Sequence, residues 1–150
     1  MTSTSCPECK AEWLNGRTCA DAFHQALAWD FEDPAGAWPN HHLTVLCYHL
    51  QHPSLYSPEG LEYANGLLIE FVEKGKAPAS VRHENSEELQ NSRRKWTVTG
   101  SGSAKGEYLI PPRWTVTVQD VVAGGLENYP GRVKTWAESL FRALKESGNI

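Results

Sequence analysis

Apolar side chains recur at helical spacing along four stretches of the chain, and polar or turn residues mark their ends. Ala22, Phe23, Ala26, Leu27 and Phe31 form the first face. Thr18 stands before it as a capping residue, with Asp21 three positions on to complete a capping box, and Asp33, Pro34, Gly36 and Pro39 stop it. A second helix is predicted from about His41 to Gln51, carrying Leu43, Leu46, Cys47 and Leu50 on one side and ended by Pro53. The third has Ser57 as N-cap, Pro58 at the favoured first position, Leu61, Ala64, Leu67, Leu68, Phe71 and Val72 as its face, and Gly75 as its stop. The last runs from about Tyr129 to Lys145, with Val133, Trp136, Ala137, Leu140, Phe141 and Leu144 at i, i+3, i+4 and i+7 spacing.

Between the third and last helices the pattern changes. Residues 80–94 are polar with few apolar anchors and read as a poorly packed fourth helix. Trp-Thr-Val-Thr then occurs twice, at 96–99 and 114–117, alternating large apolar residues with threonine in the period of a half-buried strand. A short β-hairpin around 95–118 is one expectation. The other is that the second copy leads into a short helix, capped by Thr117 with Asp120 three residues later. No linker divides the chain, so the expected architecture is mainly α: a small helical bundle in one domain, 1–150, with residues 1–17 as a knuckle packed on the helical core.

Composition narrows the function classes. With 40% hydrophobic and 21% charged residues the 150-residue chain has the profile of a globular domain, not of a disordered one. A net charge of −4 argues against electrostatic capture of nucleic acid or acidic membranes. No signal-like or membrane-spanning apolar run is present, so a cytoplasmic location is expected, where thiols stay reduced. Four cysteines in that setting point to metal, redox or core roles before disulfides.

Cys6-Pro7-Glu8-Cys9 is the strongest local signal. Two cysteines three residues apart form a tight knuckle whose backbone amides stabilise thiolates, and such a knuckle supplies two of the four ligands of a tetrahedral zinc. Cys19 is the expected third, since it lies just after the Thr18 cap, where unpaired amides and the helix dipole favour an anionic sulfur. His41 is the favoured fourth ligand and His52 its competitor. The two are eleven residues apart, or ~16 Å along a continuous helix, so they cannot share one ion. His49 and His52 are spaced to form a separate pair. A redox dithiol and plain core packing remain the alternatives for Cys6 and Cys9; Cys47, on an apolar face, reads as core. Glu8, Asp30, Glu32 and Asp33 read as helix-end charges and caps. Phosphate-loop, nucleophile-elbow and His-Glu-x-x-His motifs are missing.

Cys6-Pro7-Glu8-Cys9, Cys19 with Phe23, the run from His41 to Pro53, Trp114 to Val121, and Trp136-Ala137-Glu138 together resemble a bacterial family of uncharacterised proteins over most of the chain. The resemblance implies no activity. It singles out Cys6, Cys9, Cys19, His41, Gln51 and His52, and departs at Lys10, where the family pattern has a glycine that would ease a turn of positive φ.

Two functions compete. A structural Cys₃His zinc site, closed by four protein ligands, implies a binding or assembly role. A metal-dependent enzyme in a helical bundle would instead keep an open metal position for water. A third reading makes Gln51 and His52 part of a separate ligand pocket, against the simpler role of His52 as a cap on its own helix. Zinc is the expected metal, with iron in a thiolate site as the alternative. Whether the chain forms a homo-oligomer stays open.

Overall fold

The computed structural model describes residues 4–13, 16–80 and 105–150. These residues form five helices, α1 (Cys19–Glu32), α2 (His41–Leu50), α3 (Pro58–Val72), α4 (Val118–Ala123) and α5 (Tyr129–Glu146), with single 3₁₀ turns at Trp38–Asn40 and Pro53–Leu55. The protein is mainly helical, and among the described residues there is no strand; the nearest thing is an isolated antiparallel bridge between Ser5 and Glu12.

Local chemistry sets the helix starts. Thr18 and Asp21 form the capping box of α1, each side chain receiving the other's backbone N–H. The Ser57 hydroxyl accepts from the Gly60 amide at 2.9 Å, and Pro58 follows it as the first residue of α3. Gly75 then turns the chain through φ +68°, a conformation that favours glycine. The second Trp-Thr-Val-Thr copy leads into α4, where the Thr117 amide donates to Asp120. The first copy and residues 81–94, read from sequence as a strand and a helix, lie outside the described residues.

The core forms where the apolar faces meet. α2 packs against α1, α3 and α5, and α4 packs against α1 and α5. Leu50, Leu68, Trp136, Leu140 and Leu144 are fully buried at these contacts. Cys47 is buried as expected, its thiol pushed up by desolvation. One face departs from its pattern. The buried side of α1 is Cys19, Ala22, Ala26 and Asp30, while Phe31 is 68% exposed and leans on the Trp38 ring. Asp30 takes the inward position because it finds partners there: Tyr129 Oη lies 2.9 Å from Oδ1, and His41 Nδ1 lies 3.1 Å from Oδ2. Among the described residues no helix is long and apolar enough to cross a membrane.

Candidate metal centre

Residues 4–13 double back on themselves. The Trp13 amide donates to the Thr4 carbonyl at 2.7 Å, Cys6 N–H to Ala11 at 2.9 Å, and Lys10 N–H to Cys6 at 3.0 Å. This small hairpin carries Cys6 and Cys9 at its tip, and the Cys9 amide points at Cys6 Sγ, 3.4 Å away. The turn is closed by Lys10 at φ +66°. A side chain there is strained in a way glycine is not. Lys10→Gly is therefore expected to raise stability by about 1 kcal/mol, or roughly 2–4 °C in melting temperature for a chain of this size. A thermal melt that falls by that amount would show that the Lys10 ammonium, bonded to the Pro7 carbonyl at 2.9 Å, outweighs the strain.

The knuckle packs where two helix ends meet. Cys19 is the first residue of α1, and His52 follows the Gln51 cap of α2. The ligand atoms of Cys6, Cys9, Cys19 and His52 all lie within 4.8 Å of one another, and all four residues are buried. They are close enough to bind a metal ion. Cys9 Sγ and Cys19 Sγ are 3.6 Å apart. A tetrahedron with metal–sulfur bonds of about 2.3 Å has edges of about 3.8 Å, so this pair already has the spacing of two ligands on one ion. The Trp13 indole N–H points at Cys19 Sγ from 3.4 Å, a donor suited to a thiolate.

His52 is held in the form a metal needs. Its Nδ1 lies 2.6 Å from the Tyr48 carbonyl, one helical turn back, and an oxygen acceptor there requires Nδ1 to carry the proton. In the neutral ring that metal binding requires, the lone pair is then on Nε2, which is buried and has no hydrogen-bond partner. Tyr48 also stacks on Phe23 with centroids 4.0 Å apart and tilts against His52 at 4.3 Å, so aromatic rings cover this side of the cluster.

Crowding of this kind forces the donors to share protons. Cys6 is pulled well below the ordinary thiol range by hydrogen bonds from Cys19 and Cys9, while the thiol of Cys9, bonded toward Cys19 and Cys6, is raised. Burial disfavours the His52 imidazolium, but the neighbouring sulfurs of Cys19 and Cys6 outweigh it, and its pKa is pushed up to about 10. Without a cation, protons must neutralise the cluster; a divalent ion would displace them.

The remaining candidates lie elsewhere. His41 is not in the cluster; the histidine beside the three sulfurs is His52. His41 stacks on Trp38 at 4.4 Å and bonds Asp30 from the opposite end of the α1–α2 pair. Gln51 is completely buried. Its Nε2 donates to the Val116 carbonyl at 2.7 Å and its Oε1 accepts from Trp136 Nε1 at 3.0 Å, inside the core. His49 directs Nδ1 to the Val45 carbonyl at 2.8 Å. Glu8 accepts from the Ser54 amide and Asp33 from the Gly36 amide, as turn and cap residues do.

One signal in the sequence distinguishes the two histidines. Helices joined by a short loop run antiparallel, so the start of α1 faces the end of α2, and the end of α1 faces its start. Cys19 must then meet His52, and Asp30 must meet His41. Trp13 and Tyr48 had no comparable signal, because their parts depend on how the hairpin seats.

A family model described as a family of unknown function (DUF5946) matches residues 4–145. No curated protein and no solved structure matches the chain.

Proposed function

We propose that this chain, which belongs to the DUF5946 family of unknown function, is a zinc-stapled helical protein. In this reading Cys6, Cys9, Cys19 and His52 form a closed structural site, and the protein acts in binding or assembly. The observation that carries it is His52 Nε2: a buried ring nitrogen with no hydrogen-bond partner, beside three buried sulfurs. Leaving such an atom unpaired costs about 1–3 kcal/mol, which a coordinate bond would remove. Three thiolates and an imidazole favour zinc by softness and geometry, and iron is the competitor. Four protein donors fill a tetrahedron and leave no position for a substrate or an activated water, which supports a structural role over a hydrolytic one.

The staple would join three pieces distant in sequence: the hairpin, the first turn of α1 and the end of α2. Elemental mass spectrometry of protein purified without chelators is expected to give one zinc per chain. Cobalt exchanged into the site is expected to give the intense visible bands of a four-coordinate thiolate complex, unchanged by added azide. Weak, azide-sensitive bands would reveal an open position and return the enzyme reading. Protein that carries no metal and takes up none would end the zinc model.

A further inference from the structure

The three sulfurs of the cluster do not take their hydrogen bonds from the same kind of donor. Cys6 Sγ accepts from the Cys9 amide at 3.4 Å, and the backbone of Ala11 hydrogen-bonds Cys9 in a way that favours its thiolate. Both donors are main-chain groups of the knuckle, so no change of side chain removes them. Cys19 stands at the start of α1, where the sequence leads one to expect helix amides beside the sulfur. The cap takes two of them instead. The Asp21 amide donates to Thr18 Oγ1 at 3.2 Å and the Ala22 amide to the Thr18 carbonyl at 3.0 Å. Cys19 Sγ receives a side-chain donor, the Trp13 indole N–H, from 3.4 Å. Trp13 is tied to the hairpin through its amide bond to Thr4, and its half-buried ring packs against the core. One residue thus joins the strip that carries Cys6 and Cys9 to the ligand on α1.

We propose that Trp13 is a positioning residue of this centre: its indole N–H, held on Cys19 Sγ, draws charge from that sulfur and keeps it a ligand rather than a nucleophile. The inference rests on the metal reading. Three thiolates and a neutral imidazole around a divalent ion leave one surplus negative charge on the sulfurs, among residues that are all buried. Donors from the protein must then supply what water would supply at the surface, and a hydrogen bond to an anion is roughly twice as strong as one between neutral groups. An indole N–H can only donate, so the sulfur has to accept, a part that a thiolate fills better than a thiol. Phenylalanine in this place would keep a ring and lose the donor. Cys19 is therefore the ligand whose electron density depends on one replaceable side chain, and the one that would react first with an electrophile once that donor is gone.

The direct test is NMR of the full chain, isotope-labelled in nitrogen and loaded with spin-active cadmium in place of zinc. Scalar coupling passes through an N–H···S–metal link, so the Trp13 indole proton is expected to correlate with the cadmium resonance. Trp13→Phe is expected to keep one metal per chain and to lose that correlation. Iodoacetamide gives a second readout on the zinc-loaded proteins: the sulfur attacks the methylene carbon, a C–S bond forms and iodide leaves. By peptide mass mapping, the initial rate at Cys19 should be about tenfold higher in Trp13→Phe, with the initial rates at Cys6 and Cys9 unchanged. Equal acceleration at all three sulfurs would show that the ring merely covers the cluster, and overturns the proposal. So does a cadmium-loaded wild type without the indole correlation, a result that needs no variant to fold and leaves the metal site standing. A chain that takes up neither zinc nor cadmium ends the metal reading and this inference together.

Discussion

In the zinc reading, His52→Ala is expected to purify without metal, while His41→Ala keeps one ion per chain. The two variants differ in where the lost ring stood. In His52→Ala the cluster retains three sulfurs and loses its only neutral donor, so a bound divalent ion would face three thiolates and an open position. Structural zinc sites contribute about 10–16 kcal/mol of apparent binding free energy in small peptides, comparable to the whole 5–15 kcal/mol stability of a domain. Loss of the ion should therefore release the N-terminal hairpin, exposing Trp13 and Cys19. The His41→Ala variant will also be destabilised, for a different reason. It leaves the Asp30 carboxylate, fully buried, with Tyr129 as its remaining side-chain partner. Losing a hydrogen bond to a buried carboxylate costs about 1.5–3 kcal/mol. Metal per chain separates the two cases where a melting temperature would not. Zinc lost from His41→Ala and kept in His52→Ala would refute the ligand set.

How far the sequence carried this result is clearest in those two histidines. Cap residues and apolar periodicity located α1, α2, α3 and α5, because helix ends are decided by neighbours three or four residues away. The capping box at Thr18 and Asp21 is such a local device, and so is proline after Ser57. Cys6 and Cys9 were legible for the same reason. Which histidine joins them is not a local property; it depends on the antiparallel return of α2 along α1, and residue identity alone ranks His41 and His52 equally. Asp30 was unreadable as a buried residue for a related reason. A carboxylate in a last helical turn ordinarily faces water, and only the arrival of Tyr129 from ninety-nine positions later makes an inward rotamer favourable. Leu109 and Ile110 illustrate the reverse: apolar residues within the span where a short β-hairpin was one expectation, yet exposed where they stand.

Gln51→Leu is expected to lower stability by about 3 kcal/mol, the second large effect, without touching the metal. Gln51 is completely buried, and its amide orientation is fixed by its partners. An indole N–H can only donate, so Oε1 must be the atom facing Trp136, and the carbonyl of Val116 can only accept, so Nε2 must face it. Leucine fills a similar volume but leaves the fully buried Trp136 N–H and the partly buried Val116 carbonyl unpaired, at about 1–3 kcal/mol for the first and less for the second. For 150 residues, 3 kcal/mol corresponds to roughly 6–12 °C of melting temperature. Trp136→Phe added to Gln51→Leu should cost less than the sum of the two single changes, because the second no longer breaks a bond. Gln51→Glu sharpens the test. A protonated glutamic acid can still donate to Val116 and accept from Trp136, whereas the carboxylate presents two acceptors and a buried charge. Burial raises the folded-state pKa of that acid above its unfolded value of about 4.3. The variant should therefore approach wild-type stability below about pH 4.3 and lose it as pH rises through the folded-state value. Urea denaturation across that range, referenced to the wild-type chain at each pH, measures the difference directly. A Gln51→Glu penalty that does not change with pH would mean that water reaches the amide and that the three-way link between α2, Val116 and α5 is not what holds this part of the core.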